Sequence, residues 1–194
     1  LITNGSAITK DHCSELINDL QWIRISVSGG DSDSYKKVQG KDHFDRVIKN
    51  IEMLAKEKIK KNNNIKIGIR MLVNEVNLYT LSKLAERVKN INGMNYLQIS
   101  PNQFSDDEGK FWNGPEVDNE IKKTEKILKT GNIELLTSSF EILSTSKEEQ
   151  RKLINYPKKC YAHFYQITIM ADGNVAFCKN ARFNKKYFVG NLNK

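Results

Sequence analysis

The sequence predicts an α/β fold, in which helices pack against a parallel sheet or barrel. Three observations predict it. Short apolar segments of strand type alternate along the chain with amphipathic segments of helical spacing. Strands separated by helices of this length pair in parallel, through right-handed crossovers. Within the strands apolar and polar side chains also alternate, as expected for a sheet whose two faces differ.

The predicted elements follow one another from the first residue. A strand starts at Leu1 and runs into a turn at Gly5, and a helix that carries Cys13 on its apolar stripe comes next. Cys13 is therefore assigned to the core. After Gly29-Gly30 and a polar loop, a helix begins near Phe44. The other predicted elements are strands at 22–28, 65–73 and 96–100 and helices at 78–91 and 117–128.

One face of the predicted sheet is polar. Arg24 and Ser26 share this face in the second strand, Arg70 in the third, and Gln98 and Ser100 in the fourth. A closed barrel of the common eight-stranded kind fills its interior with Val, Ile and Leu. The polar face therefore indicates a cavity for a polar ligand, and a partly solvated sheet face is an equally good explanation.

Composition limits the class of protein. The 194 residues are 39% hydrophobic and 28% charged, as in a globular chain. A net charge of +8 suits a partner that carries phosphates or carboxylates. The lysines are spread over predicted helix faces without interleaved aromatics, which argues against nucleic acid. No segment is apolar enough for a membrane span, and three scattered cysteines indicate the reducing cytoplasm.

In their order and spacing these segments resemble a radical S-adenosylmethionine (SAM) enzyme with a SPASM extension. Thr3-Asn4-Gly5 is similar to the TNG that ends the family's third barrel strand, and residues 23–29 are similar to the hxhSxDG of its fourth. Residues 69–77 resemble the fifth strand and its trailing Asn, and Ile99-Ser100-Pro101 resembles the sixth. The resemblance thus implies strands 3 to 6 of a TIM-like β/α barrel. The family's usual Y…G…F..V..NI..L series of residues after its fourth strand is matched by Tyr35, Gly40, Phe44, Val47, Asn50, Ile51 and Leu54.

The C-terminal part resembles the opening of a SPASM region. Cys160 and Cys178 fit its C-x(9–15)-G-x4-C pattern through Gly173, and Gly190-Asn191-Leu192 is similar to the GN(I/L) that follows. Asp172-Gly173 also predicts a hairpin turn. The resemblance implies that the two cysteines ligate part of an auxiliary [4Fe-4S] cluster. Zinc, with His163 as a further ligand, is the alternative.

Some family motifs have no counterpart here. The C-x3-C-x2-C that binds the SAM-cleaving cluster and the GGEP of the second strand are absent, and the later SPASM cysteines would follow Lys194. We therefore expect a fragment that cannot generate a radical alone. Its expected parts are a partial barrel (1–131), a connecting segment (132–157) and the beginning of the SPASM region (158–194). An unpaired edge at the first strand predicts marginal stability or association.

The resemblance also implies site residues. Ser26 matches the family's contact to the SAM carboxylate, and Arg70 is a second candidate contact whose alternative is a paired or rim arginine. Asn4, Gln98 and Ser100 are expected to line the same cavity, or else to satisfy backbone groups. The acidic loop Asp106-Asp107-Glu108 is a candidate for a cation or a substrate amine, and a solvated loop is the alternative.

The implied function is that of the intact enzyme. Such an enzyme cleaves SAM reductively at a [4Fe-4S] cluster, and the 5′-deoxyadenosyl radical abstracts hydrogen from a substrate. Peptide or protein maturation is the first expectation, followed by sugar or small-metabolite modification, with a reductase or flavodoxin-type electron donor as partner. Two other classes stay open: a non-catalytic zinc-binding interaction module, and an unrelated barrel enzyme that uses Arg70 and Asp106.

Overall fold

Two sheets organise the part of the chain that the structure describes. The structure is a computed structural model that describes residues 1–101, 115–137, 161, 164–165, 167–178 and 184–193. The chain divides into two units, Leu1–Gln150 and Arg151–Lys194. Across these described ranges, every helix is too short or too polar to cross a bilayer.

The first unit contains a five-stranded parallel sheet in the order β1-β2-β3-β4-β5, with helices between the strands. Its strands are β1 (Ile2–Thr3), β2 (Trp22–Ser26), β3 (Lys66–Val73), β4 (Tyr96–Pro101) and β5 (Glu134–Thr137). Its helices are α1 (Lys10–Asp19), α2 (Ser32–Gln39), α3 (Phe44–Lys60), α4 (Leu81–Val88) and α5 (Pro115–Lys129), with a 3₁₀ turn at Leu78–Thr80. The α/β class is confirmed, and the sheet is consistent with part of a β/α barrel.

The core lies on the helix-covered face of this sheet. Alternate residues of β2, β3 and β4 are fully buried there, and the apolar stripes of α3 and α4 belong to the same cluster. Burial of each such side chain stabilises the fold by roughly 1.5–3 kcal/mol. The strand residues of this core are Ile23, Ile25, Ile67, Ile69, Met71, Val73, Leu97 and Ile99.

Helix α2 replaces the predicted polar loop. The Asp31 carboxylate accepts a hydrogen bond from the Ser34 N–H, and the Ser34 hydroxyl interacts in return with the Asp31 backbone, which forms a capping box. Gly40 ends the helix at φ 75°, the left-handed conformation that favours glycine. The apolar pattern missed this helix because its eight residues bury only Ser34 and Tyr35.

Strand β5 is an additional element that the apolar pattern did not predict. It pairs in parallel with β4, from Tyr96 opposite Glu134 to Ile99 opposite Thr137. Its four residues are all exposed or half-buried, so they carry little alternation. The sheet therefore continues into the range 132–157, which the sequence assigned to a connecting segment.

The second unit contains a small antiparallel sheet. Strands β6 (Thr168–Ile169), β7 (Asn174–Ala176) and β8 (Phe188–Asn191) pair in the order β6-β7-β8, with a 3₁₀ turn at Lys185–Tyr187. The turn between β6 and β7 lies at Asp172-Gly173, where the sequence predicts a hairpin, and Gly173 has φ 79°. Asp172 accepts a hydrogen bond from the Asn174 N–H at 3.0 Å, which closes the turn.

Candidate functional site

A row of polar residues crosses the open face of the parallel sheet. The strand register places Ser26 on β2 beside Arg70 on β3, and Arg70 beside Gln98 on β4. All three are half-buried. Since side chains at the same register share a face, these three predicted residues lie side by side, opposite the face that packs against the helices.

Arg24 lies on the same face of β2, two residues before Ser26. Its register partner on β3 is Gly68. The Arg24 side chain crosses β3, and its Nη1 donates a hydrogen bond of 3.0 Å to Oε1 of Gln98 on β4. Sequence parity put Arg24 on the polar face but gave it no role, since parity says nothing about how far a side chain reaches.

Gly68 is required by the close approach of an aromatic ring. A Cβ built on Gly68 would overlap the ring of Tyr96, its register partner on β4. The ring therefore lies over the β3 backbone, next to the path of Arg24. A strand glycine with a facing aromatic is the sequence signal for this packing.

The two arginines concentrate positive charge on this face. Within the described part of the chain, neither guanidinium makes an ion pair, and both Nε atoms are buried without a hydrogen-bond acceptor. Burial lowers the pKa of Arg70 below its usual value, and the charge of Arg24 lowers it further. Guanidinium groups in this state are suited to an anion, since a carboxylate accepts two parallel N–H bonds from one guanidinium.

The other predicted lining residues lie near the row and not within it. Asn4 follows β1 and is exposed; its Oδ1 accepts hydrogen bonds from the N–H and the hydroxyl of Ser6, at 3.1 and 3.0 Å. Ser100 follows Gln98 on the same face of β4 and is only 4% exposed. Its register partner is Leu72, which is exposed.

Asn77 holds the carboxyl ends of β2 and β3 together beside the row. It is fully buried, and its Nδ2 donates to the carbonyl oxygens of Ser28 and Leu72, at 3.0 and 2.9 Å. Its Oδ1 accepts from the Asn74 N–H at 2.8 Å. In the sequence, Asn77 stands out only as the Asn that follows the third predicted strand. Its bonds fix the spacing of the two strand ends next to Ser26 and Arg70.

The cysteines fall in different surroundings. Cys13 is buried on α1 in the core, as predicted, and burial raises the pKa of its thiol. Cys178 follows β7 and is half-buried. Cys160, its predicted co-ligand, lies outside the described residues, as do His163 and the acidic loop 106–108. In the described ranges, no three His, Cys, Asp or Glu side chains come together as a metal site.

Two solved structures match the chain in a comparison with known proteins. The chain resembles Streptococcus suis SuiB bound to S-adenosylmethionine, with a TM-score of 0.61 and 13% identity over 98% of this chain. It spans 44% of SuiB. A domain of pyruvate-formate lyase-activating enzyme from Bacteroides vulgatus matches 71% of this chain and 79% of its own, with a TM-score of 0.49 and 13% identity.

The likeness to SuiB concerns the fold alone, since the identity is only 13%. No protein-family model matches the sequence, and no curated protein is significantly similar to it.

Proposed function

We propose that the polar face of the parallel sheet binds S-adenosylmethionine, as part of a radical SAM enzyme with a SPASM region. The observation that carries the proposal is the adjacent register of Ser26 and Arg70 on a half-buried polar face. The fold resembles that of SuiB, which was solved with S-adenosylmethionine bound. The sequence resemblance assigns these same two positions to the cofactor carboxylate.

The chemistry of the row fits the amino-acid end of S-adenosylmethionine. Arg70 presents a guanidinium with an unpartnered Nε and would bind the carboxylate, and the Ser26 hydroxyl would donate a second hydrogen bond. Gln98 orients the neighbouring Arg24. Asn4 and Ser100 are proposed as further lining residues of this site. Asn77 keeps β2 and β3 at the spacing that brings the carboxylate contacts together.

Cys160 and Cys178 are proposed as ligands of an auxiliary [4Fe-4S] cluster. Thiolates are the usual ligands of such clusters, and Cys178 lies two residues after the end of β7. In the resembled enzymes, SAM at its own cluster supplies a radical that abstracts hydrogen from the substrate. We propose the same activity for the intact enzyme, with a peptide as its substrate and a separate protein as its electron donor. This chain alone lacks C-x3-C-x2-C and is expected to bind without reacting.

Ligand binding by isothermal titration calorimetry tests the proposal without activity. The chain should bind S-adenosylmethionine, and Arg70→Gln should weaken binding by about tenfold or more, because a charge-assisted hydrogen bond is lost. Ser26→Ala should weaken it less. Binding of 5′-methylthioadenosine, which lacks the amino-acid end, should be the same in all variants.

Arg46→Gln is the matched control, since Arg46 is exposed and lies on helix α3, away from the strands that carry the polar row. It changes the net charge as Arg70→Gln does and should leave S-adenosylmethionine binding unaltered. If S-adenosylmethionine does not bind, or if Arg46→Gln weakens it as much as Arg70→Gln does, the proposal is wrong.

Metal content tests the cysteine ligands separately. After anaerobic reconstitution with iron and sulfide, we expect iron and the visible absorbance of an iron-sulfur cluster, both reduced in Cys160→Ala and in Cys178→Ala. Cys13→Ala is the control, because that thiol lies in the core of the first unit. Stoichiometric zinc in place of iron would favour the zinc module instead.

A further inference from the structure

The polar face holds more positive charge than the proposed cofactor can neutralise. Arg24 and Arg70 extend from neighbouring strands of the same face, and in the described part of the chain neither has an acidic partner. S-adenosylmethionine brings one carboxylate, but also an ammonium and a sulfonium. One carboxylate at Arg70 would therefore leave Arg24 beside additional positive charge, where like charges repel strongly in a half-buried site.

We propose that Arg24 binds an anionic group of the substrate, a carboxylate or a phosphate, beside the cofactor carboxylate at Arg70. This inference rests on the proposed function, since it names the substrate class of the same site. The sequence assigned Arg24 to no ligand, and its place in the row depends on its reach across β3 to Gln98.

One edge of the Arg24 guanidinium contains an unsatisfied donor. Nη1 already donates to Gln98, while Nε is buried and has no acceptor in the described part of the chain. Nε and Nη2 point the same way and form a two-pronged donor edge that matches two carboxylate or phosphate oxygens. The bond to Gln98 holds the guanidinium in one orientation, which lowers the entropic cost of binding an anion.

A purely structural role explains these observations less well. An arginine that only supports a fold normally has its donors paired, and a buried donor without an acceptor destabilises the protein. Two such Nε atoms lie in one small area here. The net charge of +8 also favours the long-range approach of an anionic substrate.

Anion-dependent stabilisation tests the inference directly. Thermal unfolding of the whole chain is measured with succinate or inorganic phosphate against chloride at equal ionic strength. At least one of these anions should raise the melting temperature, and Arg24→Gln should abolish the rise, while Arg24→Lys should keep part of it. Stabilisation by succinate assigns a carboxylate substrate, and stabilisation by phosphate assigns a phosphorylated one.

Arg46→Gln is again the matched control and should keep the full rise. No stabilisation of the wild-type chain by either anion would overturn the inference, and so would an equal rise in Arg24→Gln. Circular dichroism of Arg24→Gln and Arg24→Lys checks that both variants fold. If Arg24→Gln is unfolded, a smaller rise in folded Arg24→Lys than in the wild type supports the inference. A rise in Arg24→Lys equal to that of the wild type overturns it.

Titration with S-adenosylmethionine separates this inference from the proposed function. Arg24→Gln should change its affinity by less than about threefold, whereas Arg70→Gln should weaken it by about tenfold. Equal weakening by both variants would assign Arg24 to the cofactor and overturn the inference, with the proposed function intact. If S-adenosylmethionine does not bind but Arg24-dependent anion binding is found, the anion site stands and the proposed function fails.

Discussion

Asp31 connects the start of α2 to α4 through two kinds of bond. Its carboxylate accepts the Ser34 N–H at 2.9 Å and pairs with the Lys83 ammonium at 2.6 Å. The hydrogen bond from Lys83, followed by that from the Ser34 backbone, lowers the pKa of Asp31 to about 2. The ionised carboxylate therefore stabilises the folded chain above the ordinary Asp pKa near 3.8, and this contribution is lost as pH falls towards 2.

Asp31→Ala should lower the free energy of unfolding by about 1 kcal/mol near neutral pH, because the helix cap is lost. Urea unfolding at a series of pH values measures this. The difference from the wild type should shrink as pH falls below about 4. Asp33→Ala is the matched control, since Asp33 is exposed on the same helix, and it should have a smaller effect. A difference that is unchanged down to pH 2 would contradict the explanation.

The residues of the polar row are predictable from the sequence in their face but not in their alignment. Ser26, Arg70 and Gln98 were placed on one face by the alternation of side chains, because a strand has a fixed period of two. Their alignment in one row depends on strand register, which the sequence did not supply. The bond of Arg24 to Gln98 spans 74 residues of sequence and crosses a strand, so no local pattern could predict it.

At the scale of single elements, helices and strands with strong apolar periodicity were predicted and the weakly patterned ones were missed. Strand β3 was predicted as 65–73 and observed as Lys66–Val73, because its buried residues alternate over its whole length. Helix α2 has a polar sequence, and its signals were the cap at Asp31 and the glycine at position 40. The four residues of strand β5 are all exposed or half-buried, so they carry no clear alternation.

The packing of β3 against β4 gives a prediction at this scale. A methyl group at Gly68 would overlap the Tyr96 ring, so Gly68→Ala should lower the free energy of unfolding by about 1–3 kcal/mol. Tyr96→Ala removes the ring. In a protein that already carries Tyr96→Ala, Gly68→Ala should therefore lower the free energy of unfolding much less. A double-mutant cycle by chemical denaturation measures this coupling.

Gly190→Ala is the control for this cycle. Gly190 is also a strand glycine, but a Cβ there would meet nothing within 4 Å, so the substitution should cost little. If the effects of Gly68→Ala and Tyr96→Ala are simply additive, the ring is not what requires a glycine at position 68.

At the scale of the whole molecule, the five-stranded sheet has an apolar edge at β1. The sheet order puts β1 at one edge and β5 at the other. Leu1 and Ile2 are 45% and 53% exposed, and Trp22 on the adjacent β2 is 43% exposed. An exposed edge strand with apolar side chains is a template for pairing with another chain. If the chain associates, as the sequence predicts, we expect contact through the exposed edge of β1.

Ile2→Lys should reduce self-association, because a charged side chain on an edge strand opposes pairing with a second edge. Sedimentation velocity over a range of protein concentrations measures it. Val76→Lys adds the same charge at another exposed apolar residue, 52% exposed and outside the strands, and should leave association unchanged. A wild-type chain that is monomeric at every concentration would contradict the prediction. Equal effects of the two substitutions would show that net charge, and not the β1 edge, controls association.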